Sequence, residues 1–123
     1  MPAPPRDITD AIRLEGFELG SANIKRGEPI LLLLYWRGLA RIENDFVVSV
    51  SLIARAGSVV ARYEKQPRRG DAPTSMWSPG ELVVDAIQLP VPDSAAPGVY
   101  RLEIGLLDIS NVQMQIELIN VIE

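Results

Sequence analysis

Apolar and polar residues alternate along most of this chain, with the two-residue period of strands and no helical period of useful length. Residues 12–19 read Ile-Arg-Leu-Glu-Gly-Phe-Glu-Leu and predict a strand with a bulge at Gly16. Residues 30–37 predict another, with Ile30, Leu32, Leu34 and Trp36 on one face and Leu31, Leu33 and Tyr35 on the other. Residues 46–55 place Phe46, Val48, Val50, Leu52 and Ala54 on one face, then turn through Ala56-Gly57-Ser58 into a returning strand at 59–63. Residues 81–89 and 99–107 follow, the latter with Tyr100, Leu102, Ile104 and Leu106 inward. After a turn at 108–112, residues 113–122 alternate Met114, Ile116 and Leu118 against Gln113, Gln115 and Glu117.

Strands at near-regular spacing, separated by turn residues, predict an all-β fold. Each strand has an apolar face that needs a facing sheet. The expectation is an antiparallel immunoglobulin-like β-sandwich of about seven strands. It occupies residues 11–123, after a loose proline-rich segment at 1–10. Between the strands at 59–63 and 81–89 lies a long loop, residues 64–80, rich in Pro, Gly, Arg and Ser. Loops of that length in small domains are usually functional or mobile.

Composition narrows the function classes. At 123 residues the chain can bury a core without cross-links. It has no cysteine and no histidine, so thiol chemistry, disulfides and the commonest general base and metal ligand are missing. No catalytic residue, metal ligand or cofactor site is expected, and the chain reads as a non-enzyme. Net charge is −4, which argues against a nucleic-acid partner. No run is long enough to span a bilayer, and Met1 to Arg6 lacks the apolar core of a signal peptide.

Three stretches carry a resemblance. They are Pro73-Thr74-Ser75-Met76-Trp77-Ser78-Pro79-Gly80-Glu81; Leu89-Pro90-Val91-Pro92 followed by residues 97–108; and Arg26-Gly27-Glu28-Pro29 leading into Leu34-Tyr35-Trp36. Together they resemble the β-sandwich domain that follows the membrane portion of many bacterial membrane glycosyltransferases of the ArnT-like, protein-mannosyltransferase type. The likeness covers roughly residues 27–108. It departs at Leu31 and Leu33, where the family often has threonine, and at Leu107, where it often has tyrosine. The resemblance implies an extracytoplasmic accessory domain, with a glycan or a parent membrane glycosyltransferase as partner. The family's catalytic residues lie in its membrane portion, so none carries over. A looser likeness of architecture links the chain to the carbohydrate-binding sandwich of O-antigen transporter ATPases.

Two places stand out as candidate sites. The long loop holds Trp77, Arg68, Arg69 and Asp71, with Tyr63 just before it. An aromatic ring there could stack on a sugar while charged neighbours bond its hydroxyls; alternatively Trp77 folds inward and plugs an end of the sandwich. Arg62, Lys65, Arg68 and Arg69 could meet an acidic partner or lipid head groups, although such charge is more often simply a solvated loop. Arg69-Gly70-Asp71 spells an integrin tripeptide, a match too short to carry function. The second place is the Leu31, Leu33 and Tyr35 face. A strand buried on one side should alternate, so an apolar second face predicts an interface, either self-association or docking. Tyr100, after Pro97-Gly98, resembles a tyrosine corner. Asp85 falls on an apolar face and needs partners. Asp108 reads as a turn acceptor. Asp45, Asp71, Asp93 and Asp108 are too scattered to predict calcium binding.

Overall fold

The computed structural model describes residues 5–107 and 109–123, with residues 6 and 109–114 described through their backbone alone. Asp108 lies outside the described residues. The strands are β1 Arg6–Asp7, β2 Ile12–Leu19, β3 Asn23–Lys25, β4 Pro29–Gly38, β5 Val48–Ile53, β6 Val59–Lys65, β7 Leu82–Pro90, β8 Gly98–Leu106 and β9 Ile109–Ile122. They form a sheet of order β1-β2-β4-β7 and a second of order β3-β9-β8-β5-β6. The predicted sandwich is therefore present. No helix among the described residues is long and apolar enough to cross a membrane.

The inner faces follow from the alternation. Ile30, Leu32, Leu34 and Trp36 of β4 are buried, as are Tyr100, Leu102, Ile104 and Leu106 of β8, and one cluster joins both sheets. The bulge at Gly16 is present, since the β2–β4 register shifts between Leu14 and Gly16. The extra residue returns Phe17 to the core after Leu14.

Several expectations change. The segment expected to be loose contains β1, which pairs Arg6 with Leu14 and Asp7 with Arg13, and Ile8 is buried beside it. The sheets are not antiparallel throughout, because β3 runs parallel to β9. The turn expected at 108–112 gives way to a strand that begins at Ile109. Near its end β9 buries Ile119 and Val121 and leaves Leu118 exposed, the reverse of the predicted face. A register shift opposite Leu102 and Glu103 causes this, because one extra residue exchanges inward and outward positions. Of the immunoglobulin pattern the chain keeps an order of strands, β9-β8-β5-β6 facing β2-β4-β7. It has no cysteine for an inter-sheet disulfide. Its buried Trp36 lies on β4, in the sheet opposite the one where an immunoglobulin domain keeps its tryptophan.

Candidate functional site

The long loop is built rather than loose. It contains two 3-10 turns, Pro67–Gly70 and Thr74–Met76. Buried Thr74 ties it to the β4–β5 connection, where its Oγ1 accepts the Phe46 N–H at 3.0 Å and donates to the Asn44 carbonyl. The Ser75 N–H adds a bond to Asp45 Oδ1 at 3.1 Å. Gly80 turns the chain at φ 88° and donates to the Gly38 carbonyl at 2.7 Å. The distinctive residues of this segment thus serve as scaffold.

Trp77 takes the inward course. It is 5% exposed, belongs to the core cluster, and its indole N–H donates to the Ala72 carbonyl at 2.8 Å. Its ring faces are spent on packing, so it is no platform for a sugar. Tyr100 likewise pins its corner, its hydroxyl donating to the Ala96 carbonyl at 2.7 Å. Asp71 is exposed.

The first turn is unusual. Arg68 and Arg69 both adopt left-handed backbone conformations, φ 53° and 58°, which side chains other than glycine rarely accept. What holds them is the edge strand β7. The Arg68 N–H donates to Asp85 Oδ1 at 2.9 Å, and Arg69 Nη1 donates to the Ala86 carbonyl at 3.1 Å. The turn thereby covers part of the unpaired edge of the four-stranded sheet. Asp85 is fully buried. Burial raises its carboxyl above the ordinary range, while the Arg68 amide, the Arg69 charge and the Trp36 indole oppose that shift.

This turn stands beside a groove of about 750 Å³, lined by Leu31 and Leu33 of β4, Tyr63 and Lys65 of β6, Gln88 of β7, and Arg69. The two sequence-predicted sites therefore meet in part: Leu31, Leu33, Tyr63 and Arg69 share one concavity. Tyr63 is only 8% exposed, and the Lys65 ammonium stands 5.7 Å from its ring centre. Arg68 borders a neighbouring depression of about 440 Å³. Tyr35 lies in a third, with its hydroxyl donating to Glu18 Oε1 at 2.9 Å, a bond that raises the phenol's pKa. Trp77 and Asp71 line none of the three.

The third depression lies on the outer face of the β1-β2-β4-β7 sheet, whereas the first two lie along its β7 edge, where Arg69 lines both. Pairing of Leu33 with Ala86, Tyr35 with Val84 and Arg37 with Leu82 sets the apolar residues of β4 beside those of β7. Leu31, Leu82 and Val84 are 48%, 45% and 40% exposed. Sequence reading missed the β7 half of this stripe. Its signal was the apolar character of Leu82, Val84 and Ala86, which alternate with the buried Val83 and Ile87.

No family model and no curated protein matches the chain. Among solved structures it is similar to part of a β-glucosidase from Listeria innocua, determined in complex with glucose. The identity is 14% and the TM-score 0.54, over 85% of this chain and 15% of that one. At that identity the likeness shows the fold alone. The chain spans about 15% of the length of the enzyme it matches.

Proposed function

We propose that the chain is a non-catalytic accessory domain that docks on a larger protein through the outer face of its four-stranded sheet. One observation carries this: Leu31, Leu82 and Val84 stand exposed on paired strands, with Leu33 and Tyr35 between them. Glu18, paired with Leu33, borders that stripe on the β2 side, Arg37 continues the β4 row at its end, and Arg69 reaches the β7 edge. An apolar centre within a polar rim is the anatomy of a protein interface. The glucosidase likeness offers a precedent for such a sandwich within a much longer chain. The partner we propose is a membrane glycosyltransferase of the resembled type, which would make the setting extracytoplasmic. The reading assigns no reaction, and the buried carboxylate of Asp85 is already engaged with backbone.

The test is co-purification with a membrane glycosyltransferase encoded beside or continuous with this chain. A Leu31→Lys/Val84→Lys variant should lose the complex at an unchanged melting temperature. A complex that survives the double substitution overturns the docking surface.

Glycan binding is the second reading. The groove supports it, since Lys65, Arg69 and Gln88 line it and offer polar groups to a sugar's hydroxyls. It does so without Trp77. Glycan-array binding that survives Leu31→Lys/Val84→Lys but is lost on Arg69→Ala would favour it over docking. Self-association through the same stripe would appear as a dimer in light scattering that the double variant abolishes.

A further inference from the structure

Among the described residues, three buried side-chain polar atoms have no hydrogen-bond partner within the protein: Trp36 Nε1, Tyr63 Oη and Asp85 Oδ2. Trp36 and Asp85 share the inner face of one sheet, since Trp36 pairs with Val83 and Leu34 with Asp85. The Trp36 indole lies close enough to Asp85 to hold its proton affinity down, yet makes no hydrogen bond of ordinary geometry with it. Tyr63 comes from β6 in the facing sheet. Burial raises the pKa of its phenol, the Asp85 charge raises it further, and Arg69 lowers it. The three groups thus occupy one corner of the interior, beneath the left-handed turn that Asp85 holds.

Buried polar groups in folded proteins are almost always paired, with protein or with ordered water. We propose that Trp36, Tyr63 and Asp85 form an internal site for one ordered water molecule. The water accepts from Trp36 Nε1–H, donates to Asp85 Oδ2 and takes its third bond from or to Tyr63 Oη.

The chemistry of the three groups selects the ligand. Indole is a donor only, the unbonded carboxylate oxygen is an acceptor, and a phenol hydroxyl can be either. Water satisfies all three at once, and buried waters typically make about three bonds of this kind. An anion would face the carboxylate of Asp85, and a cation would face an indole N–H and the nearby Arg69 charge. Tyr63 also lines the groove, so water has a way in past its ring. In this corner the water is a polar link between the facing sheets.

The chain's two tryptophans make the test self-controlled. In a nitrogen-15-labelled sample, the Trp36 indole proton should show a cross-peak to a long-lived water, and the peak should persist in Tyr63→Phe. The Trp77 indole, which donates to the Ala72 carbonyl, should show none. A crystal structure at atomic resolution should place a water within bonding distance of all three atoms. Equal water cross-peaks at both indoles overturn the proposal. So does a crystal in which Trp36 Nε1 bonds Asp85 Oδ2 directly with no water between.

Discussion

Asp85 and Arg68 are joined across the edge of the sandwich, the Arg68 amide donating to Asp85 Oδ1 at 2.9 Å. The bond fastens the long loop to β7 and gives a buried carboxylate one of its partners. It does not cancel the cost of burial, because the carboxyl still titrates above its ordinary value of 3.8.

That shift has a definite sign. The folded chain holds the Asp85 proton to a higher pH than the unfolded chain does. The group's favourable contribution is complete below the ordinary aspartate range, and it is lost as pH rises through the raised folded value. Asp85→Asn keeps an oxygen for the Arg68 amide and removes the charge. Urea midpoints measured from acid to neutral pH should fall less for the variant than for the parent. Parallel curves would show that Asp85 is not the group responsible.

Arg68 stands in a left-handed conformation that costs a side-chain-bearing residue about 1–2 kcal/mol. Glycine relieves that strain but gives back about 0.4–1 kcal/mol through the freer unfolded chain. Arg68→Gly should therefore raise stability slightly, by roughly 0.5 kcal/mol. Arg69→Gly should fare worse in the same denaturation series, because it also surrenders the bond to the Ala86 carbonyl.

Trp77→Ala should cost about 3–5 kcal/mol, the usual penalty for emptying a large aromatic site in a core. Trp77→Phe retains much of the packing and orphans the Ala72 carbonyl, for a loss of about 1–3 kcal/mol. Thermal melts of the two variants separate packing from hydrogen bonding. A neutral Trp77→Ala would return this residue to the surface and reopen its role as a sugar platform.

Thr74→Val conserves shape and deletes the hydroxyl that bonds Phe46 N–H and the Asn44 carbonyl. The loss should be about 1–3 kcal/mol, with Thr74→Ser close to the parent. Hydrogen exchange at the Phe46 amide gives a local readout, and faster exchange there is the expected result in the valine variant.

The fold was legible in the sequence where strands are long enough to repeat their period. β4 and β8 declare their inner faces through four apolar positions each, and Gly16 announces its bulge. β1 and β3 span only two and three residues, too few to show any alternation. The reversed face at the end of β9 depends on where a partner strand slips, which alternation along one strand does not encode. The candidate site divides in the same way. The Leu31, Leu33 and Tyr35 face was visible as an anomaly of pattern. Its continuation onto Leu82 and Val84 exists only through strand pairing. Trp77 presents the same letter whether it is buried or exposed, and left-handed arginines carry no signature, since glycine is the residue that normally marks such backbone.

The parallel pair of β3 and β9 has a mechanical consequence. Asn23 lies against Asn120, Ile24 against Val121 and Lys25 against Ile122, and the Asn120 N–H also donates to the Ala22 carbonyl at 2.7 Å. Tension applied to the flanks of this pair, entering before β3 and leaving after β9, runs along the two strands. It shears their bonds together rather than peeling them one at a time. Between those two points the pair resists stretching as a buckle does, and a strand of three residues becomes the part that bears the pull.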